Sequence, residues 1–105
     1  VMVPLNATHT VLDWIAALKI PTILVAGTYL GTISHTLTAH SSLTSRGVNA
    51  TNILLSQSTE NPVPTEETAS VISQFLPNVR ITRVPRVNDE PTPWKGCPNL
   101  LDILE

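Results

Sequence analysis

Short runs of β-branched and apolar residues alternate along the chain with longer stretches whose apolar residues recur at helical spacing. The runs lie at Val1–Val3, Thr22–Ala26, Ile53–Leu55 and Val79–Val84. This alternation predicts an α/β fold in which a mostly parallel sheet is covered by helices, with Val1–Val3 as the end of a strand. The continuous apolar run at Thr22–Ala26 is typical of a strand buried on both faces.

Four helices are predicted between and after these strands. They are expected at Val11–Leu18, Thr32–Arg46, Glu66–Phe75 and Leu100–Leu104. Thr10 and Thr65 are the predicted N-caps of the first and third helices, and Gly47 follows the second helix, where glycine commonly ends a helix. The proline-rich tail before the last helix is predicted to be an ordered loop held by Trp94.

The composition bounds the class of protein. The chain has 105 residues, which fits a single domain spanning residues 1–105. Six basic and eight acidic residues give a net charge of −2, which favours neither nucleic acid nor a membrane surface as a partner. No apolar run reaches the roughly 18 residues of a membrane-spanning helix. The single cysteine, Cys97, forms no internal disulfide, so we predict a cytoplasmic protein.

The side chains that most often carry catalysis give little signal. His9 is predicted to be a solvated turn residue, and His40 a packed histidine on the apolar stripe of its helix. His35 lies nearer a candidate site, but no carboxylate or nucleophile lies at an informative spacing from it. Neither a Walker phosphate loop nor a dinucleotide-binding glycine motif is present. None of the three histidines is therefore predicted to be catalytic.

One segment combines a buried strand, a tight loop and a helix start. It runs from Val25 to His35 and brings the backbone N–H groups of Thr32, Ile33 and Ser34 to the carboxyl end of a parallel strand. Such amides hold carboxylates or phosphates, and the ligands of open α/β sheets gather at this edge. Alternatively, Gly31 only permits the turn and Thr32 only caps the helix. The residue pattern by itself leaves both interpretations open.

The same segment resembles a known family. Leu30–Thr38, with Pro21–Ala26 before it, is similar to the Leu-Gly-Thr-Ile-Asn-His stretch of the dethiobiotin synthetases. Val3–Leu5 followed by Thr10–Trp14 is similar to the segment that comes after the Glu-Gly-Ala-Gly-Gly motif of that family. Thr82–Pro85 resembles the strand and proline that close the family's adenine pocket. The resemblance is good from Val1 to about Thr44 and becomes weaker beyond it.

This resemblance implies a P-loop NTPase-like fold, a three-layer α/β domain of which the chain is the C-terminal half without the phosphate loop. It implies ATP-dependent ring closure of 7,8-diaminopelargonate with CO₂ to dethiobiotin, with ATP and Mg²⁺ as cofactors, in a homodimer. In that family a carbamate forms on one amine, ATP phosphorylates it, and the second amine displaces the phosphate. The resemblance implies that the phosphate loop, the lysines and the Mg²⁺-binding carboxylates belong to the half that precedes Val1, so it assigns no catalytic residue and no metal ligand to this chain.

The resemblance also implies two groups of binding residues. In that family the substrate carboxylate is held by the backbone amides of a loop that reaches across the dimer. This loop corresponds here to Leu30, Gly31, Thr32, Ile33 and Ser34. The nucleotide side corresponds to Ser56 and Pro85. Ser34 stands where the family usually has Asn, and Ser56 stands where it often has the Asn that reads adenine.

Two other functions stay open on the sequence alone. One is a different P-loop amide-forming ligase of the cobyrinate amidase type, which shares the scaffold but not obviously the Leu-Gly-Thr-Ile stretch. The other is a non-catalytic P-loop-like module that binds a partner or oligomerises. A phosphate loop upstream of this chain would separate the enzymes from the module.

Overall fold

A computed structural model describes residues 1–89 and 91–104. Its helices are α1 (Val11–Leu18), α2 (Thr32–Ser45) and α3 (Thr65–Phe75). Its strands are β1 (Ile23–Ala26), β2 (Asn52–Ser56) and β3 (Arg80–Val84). Two 3₁₀ turns follow, at Pro93–Gly96 and Leu100–Ile103. The ends of these three helices and three strands lie within one residue of the predicted ends, because the apolar spacing and the turn residues both mark them.

The three strands form one parallel sheet in the order β1-β2-β3. In its register Leu24 pairs with Ile53, and Ile53 pairs with Ile81. Parallel neighbours need a crossover connection, which α2 and α3 supply. The predicted α/β fold, a parallel sheet with flanking helices, is confirmed.

The N-terminal segment is not a strand of this sheet, so that prediction is wrong. The carbonyl oxygens of Val3 and Val1 instead accept the backbone N–H groups of Val11 and Leu12, at 2.9 and 3.0 Å. Pro4 forms an isolated antiparallel bridge with Thr10. The segment folds back because the first amides of a helix lack acceptors within the helix, and these carbonyls supply them.

The core lies on the face of the sheet against which α2 and α3 pack. Ile53 and Leu55 of β2 and Ile72 of α3 are completely buried and contact Ile33 and Leu37 of α2 within one apolar cluster. Each of these helices follows a strand, so its first turn lies at the carboxyl end of the sheet. The packing therefore fixes two helix starts and their loops beside one another.

β1 is an edge strand with one open face. Leu24 and Ala26 pack against the core, whereas Val25 is 63% exposed. The prediction that this strand is buried on both faces is therefore wrong for the described part of the chain. An apolar run indicates that both faces of a strand can be buried, but it does not indicate which segment would cover each face.

The helix starts differ in how well the sequence predicted them. Thr10 caps α1 as predicted, and its amide donates to the Asp13 carboxylate at 2.7 Å. At α3 the N-cap is Pro64, and Thr65 is the first helical residue, contrary to prediction. The reason is that the carbonyl oxygen of Pro64 already accepts the amides of Glu67 and Thr68.

The tail is anchored at its end and not by Trp94, which is 65% exposed. Ile103 is buried, and the guanidinium of Arg80 donates to the carbonyl oxygen of Asp102 at 3.0 Å. The predicted aromatic clamp is therefore wrong.

Across residues 1–89 and 91–104, a helix with the length and apolar character needed to cross a membrane is not found.

Candidate functional site

Two loops at the carboxyl ends of β1 and β2 are tied together. The Thr28 amide donates to the Ser58 hydroxyl, and the Ser58 amide donates to the Thr28 hydroxyl, both at 2.9 Å. Thr28 is buried, so water does not compete for this reciprocal pair. A Cβ atom on Gly27 would lie only 2.7 Å from the Ser58 oxygen. Glycine at this position therefore permits the close approach of the two loops.

The turn from β1 into α2 depends on Gly31, whose φ of 91° lies in the region that favours glycine. Thr32 donates its hydroxyl to the Gly27 carbonyl at 2.6 Å and its amide to the Tyr29 carbonyl at 3.1 Å. Among the residues that the structure describes, the amides of Ile33 and Ser34 have no acceptor. Two of the three predicted amides are thus available to a ligand, while the third closes the turn.

These residues line an open cleft of about 610 Å³, called here the loop cleft. The predicted residues Leu30, Gly31, Thr32, Ile33 and Ser34 all line it. The other lining residues are Thr28, Tyr29, Leu37, Thr38, Pro62, Val63, Thr68 and Phe75. Leu30 is 87% exposed and Phe75 is 66% exposed, so much of the wall is apolar surface open to solvent. Both the volume and the apolar walls are typical of small-molecule sites.

Sequence reasoning missed the α3 side of the loop cleft. Val63, Thr68 and Phe75 come from α3 and the loop before it, and Thr68 is buried although it is polar. Their place beside α2 results from the packing of two helices that are distant in sequence. The helical spacing of α3 indicates that one face is buried, but it does not indicate which loop that face meets.

Tyr29 and His35 form a pair across the turn. The Tyr29 hydroxyl lies 3.0 Å from Nδ1 of His35, and the ring centroids are 5.7 Å apart. Both side chains are exposed. The pair joins the loop to the first turns of α2 and supports the conformation at Gly31. His40 is packed as predicted, with Nε2 lying 3.0 Å from the Ala50 carbonyl oxygen.

A second cavity, called here the strand-end cavity, lies at the carboxyl ends of β2 and β3. Its volume is about 340 Å³. It is lined by Gln57, Asn61, Pro64, Thr65, Glu66, Arg83, Val84 and Pro85. Of the two predicted nucleotide residues, Pro85 lines this cavity, whereas Ser56 is exposed at the end of β2 and is not among the lining residues. The carboxamide groups of Gln57 and Asn61 were not predicted to contribute to a site.

The arginines of this region are engaged by protein groups. Arg83 forms an ion pair with Glu66 at the strand-end cavity. Arg86 donates from its guanidinium to the Thr59 hydroxyl at 2.7 Å. Because these cations already have partners, the strand-end cavity is suited to an uncharged planar group with polar edges more than to a phosphate.

The described residues do not fit a magnesium site. In residues 1–89 and 91–104, no group of three or more His, Cys, Asp or Glu side chains could hold a metal ion. Mg²⁺ prefers octahedral oxygen coordination from carboxylates, phosphates and water. The carboxylate at the strand-end cavity, Glu66, is already paired with Arg83. No step of a reaction is therefore assigned to a metal held by this chain.

Comparison with known proteins places the chain in a family. A model of the AAA domain family matches residues 1–91. A protein of Acidiphilium cryptum (strain JF-5) named ATP-dependent dethiobiotin synthetase BioD is 51% identical over 75 residues, which are 71% of this chain and 34% of that protein. A protein of the same name from Caulobacter sp. (strain K31) is 43% identical over 86 residues, 82% of this chain and 37% of that protein.

A third protein of that name, from Caulobacter vibrioides (strain NA1000 / CB15N), is 38% identical over 104 residues, 99% of this chain and 45% of that protein. The chain thus spans less than half the length of each of these relatives. Their shared name confirms the resemblance to the dethiobiotin synthetases. Since the family model covers most of the chain, the chain belongs to the AAA domain family and is a relative of the ATP-dependent dethiobiotin synthetases.

Proposed function

We propose that the protein containing this chain is an ATP-dependent dethiobiotin synthetase, which closes a cyclic urea on 7,8-diaminopelargonate with CO₂. One observation carries the proposal: Leu30 to Ser34 line a single cleft that exposes two helix-start amides without acceptors in the described part of the chain. The family relationship supports the same reaction, because the relatives bear that name.

The loop cleft suits the two chemical parts of such a substrate. The amides of Ile33 and Ser34 lie at the positive end of the α2 dipole, where a carboxylate is stabilised. The apolar side chains of Leu30, Val63 and Phe75 suit the methylene chain that separates the carboxylate from the two amines. Ser34 has a shorter side chain than the asparagine that the family usually has at this position. We therefore assign the carboxylate contact to the backbone amides and not to the Ser34 side chain.

The strand-end cavity suits the base of ATP. Pro85 contributes to its wall, and Ser56 remains a predicted contact of the nucleotide. In the proposed reaction ATP phosphorylates a carbamate on one amine, and the second amine displaces the phosphate. We assign the phosphate loop, the lysines and the Mg²⁺ ligands to parts of the protein outside this chain. The role proposed for this chain is to bind and orient the substrate carboxylate and the base.

We propose that a second copy of the protein completes the loop cleft. Leu30 is 87% exposed at its rim, and an apolar side chain this open is stabilised when a partner surface covers it. We propose a cytoplasmic location for this homodimer, because a chain with a single cysteine forms no internal disulfide. Nucleic acid and membrane surfaces are not expected partners.

Phosphate release by the full-length protein tests this proposal. We expect release from ATP only when 7,8-diaminopelargonate and bicarbonate are both present, and background release when either is omitted. Release that requires cobyrinate and glutamine instead would contradict the proposal and support the other amide-forming ligase. A folded protein that releases no phosphate under either condition would support the non-catalytic module.

A further inference from the structure

Asn61 carries a buried acceptor that the protein leaves unpaired. Asn61 lines the strand-end cavity, and its side-chain oxygen Oδ1 is shielded from solvent. Among the described residues, no donor makes a hydrogen bond to this oxygen. The large majority of buried polar atoms in proteins have a hydrogen-bond partner, and an unpaired one destabilises the fold. A donor on a bound ligand would relieve this cost.

Gln57 lies on the same cavity and is held in one orientation. The side-chain Oε1 of Gln57 accepts a hydrogen bond from the backbone N–H of Arg86 at 3.3 Å. The backbone N–H of Gln57 donates to the Val84 carbonyl oxygen at 2.9 Å. With Oε1 engaged, the Nε2 group is the part of the carboxamide that can contact a ligand as a donor. The cavity therefore combines one acceptor, on Asn61, with one donor, on Gln57.

We propose that Asn61 selects the base of the nucleotide by accepting a hydrogen bond from an exocyclic amino group, while Gln57 donates to the adjacent ring nitrogen. The inference rests on the proposed function, because it requires a base in the strand-end cavity. Adenine and cytosine carry an amino group beside an acceptor nitrogen. Hypoxanthine, guanine and uracil carry a carbonyl oxygen beside a ring N–H, which is the reverse pattern.

A base with a carbonyl oxygen beside a ring N–H makes no hydrogen bond to either the Asn61 or the Gln57 carboxamide. A base carbonyl would face the acceptor oxygen of Asn61, and a ring N–H would face the Nε2 donors of Gln57. The last torsion of an asparagine is soft, so the Asn61 carboxamide turns towards a bound base at little cost. Flipping Asn61 alone would not rescue a carbonyl base, because the Arg86 amide holds Gln57 in place. The Ser56 hydroxyl either donates or accepts and does not distinguish the two patterns.

Calorimetric titration of the full-length wild-type protein with matched nucleotides tests the inference without any variant. ATP and ITP differ at the base edge, where an amino group and acceptor are replaced by a carbonyl and N–H, and CTP and UTP form the matching pyrimidine pair. We expect each amino form to bind at least about tenfold more tightly than its carbonyl partner, which corresponds to about 1.4 kcal/mol. Equal affinities within either pair would overturn the inference.

Variants then assign the selection to Asn61. In Asn61→Ala the ratio of ITP to ATP dissociation constants should fall at least about threefold, to the part of the selection that Gln57 contributes, whereas Asn61→Asp, which keeps an acceptor, should retain the wild-type preference for ATP. Asn49→Ala is the matched control, because Asn49 is an exposed asparagine before β2, at the opposite end of the sheet. An unchanged ratio in Asn61→Ala would overturn this inference and leave the proposed function in place. Failure of every nucleotide to bind would overturn the proposed function as well.

Discussion

Gly31 joins the backbone geometry of the turn to the proposed binding of the substrate carboxylate. Its φ of 91° is strained for any residue with a Cβ atom. A Cβ atom at this position would meet only His35 Cε1, at 3.8 Å, which is an ordinary contact. A substitution would therefore act by shifting the backbone, and with it the amides of Ile33 and Ser34, more than by filling the loop cleft.

We predict that Gly31→Val raises the KM for 7,8-diaminopelargonate by about ten- to a hundredfold, as expected when hydrogen bonds to a charged group are lost. The KM for ATP should stay nearly unchanged, because the strand-end cavity does not include Gly31. Steady-state kinetics of the full-length protein measure both constants. Gly47→Val is the matched control, since Gly47 has a φ of 70° with open space around it at the other end of α2. Equal increases in both KM values would mean that Gly31 has only a structural role.

Gly27 supports both loops by allowing them to touch. An added Cβ would lie 2.7 Å from the Ser58 oxygen and 2.8 Å from the Tyr29 ring, closer than real contacts allow. We predict that Gly27→Ala lowers the free energy of unfolding by about 1–3 kcal/mol, the usual cost of overpacking. Urea denaturation measures this loss, with Gly96→Ala as control because nothing lies within 4 Å of that position. A loss no larger than that of the control would contradict the close approach of the loops.

At the scale of elements, α1 is tied to α2 through one carboxylate. Asp13 accepts the Thr10 amide at 2.7 Å and pairs with Arg46, which follows α2, at 2.8 Å. These two contacts, with the Thr10 hydroxyl, lower the pKa of Asp13 from 3.8 to about 2. The carboxylate therefore stabilises both the cap of α1 and its contact with the end of α2.

We predict that the stability lost in Asp13→Asn depends on pH. Since the folded pKa lies below the unfolded value, the contribution of Asp13 is complete above pH 3.8 and is lost as the pH falls through about 2. The difference in Tm between wild type and Asp13→Asn should be largest near neutral pH and should shrink below pH 3.8. Thermal unfolding across this range measures it. A difference that stays constant with pH would contradict the assigned contacts.

The elements also show why some features are readable from sequence and others are not. α1 and α2 are predicted almost to the residue because Thr10 and Gly47 mark their ends and apolar spacing marks their faces. The N-cap of α3 is misassigned because Pro64 carries the carbonyl that accepts the first amides. The role of Trp94 is misassigned because a large aromatic side chain is usually buried, whereas here it is exposed.

At the scale of the whole molecule, the sequence predicts one side of the loop cleft and not the other. Leu30 to Ser34 are contiguous, so a single strand–loop–helix pattern and a family resemblance are enough to find them. Thr68 and Phe75 reach the same cleft only through the packing of α3 against α2, and Asn61 becomes notable only when its oxygen is found buried and unpaired. Local pattern carries the first kind of information, while tertiary packing carries the second.

The open face of β1 belongs to the same scale. Val25 is 63% exposed on a strand with an uninterrupted apolar sequence, and the chain spans less than half the length of its relatives. An exposed apolar side chain of this kind is stabilised when another surface covers it. The kinetic tests use the full-length protein.

The central claim, that the loop cleft binds the substrate carboxylate through the start of α2, is tested most directly by removing that carboxylate from the substrate. The measurement compares kcat/KM for 7,8-diaminopelargonate with kcat/KM for 2,3-diaminononane in the wild-type protein and in Gly31→Val. In this analogue a methyl group replaces the carboxylate, and both amines and the carbon chain are kept. We predict that the wild type prefers the carboxylate substrate by at least about tenfold and that Gly31→Val loses most of this preference while using the diamine about equally well. An equal preference in both proteins, or none in the wild type, would contradict the claim.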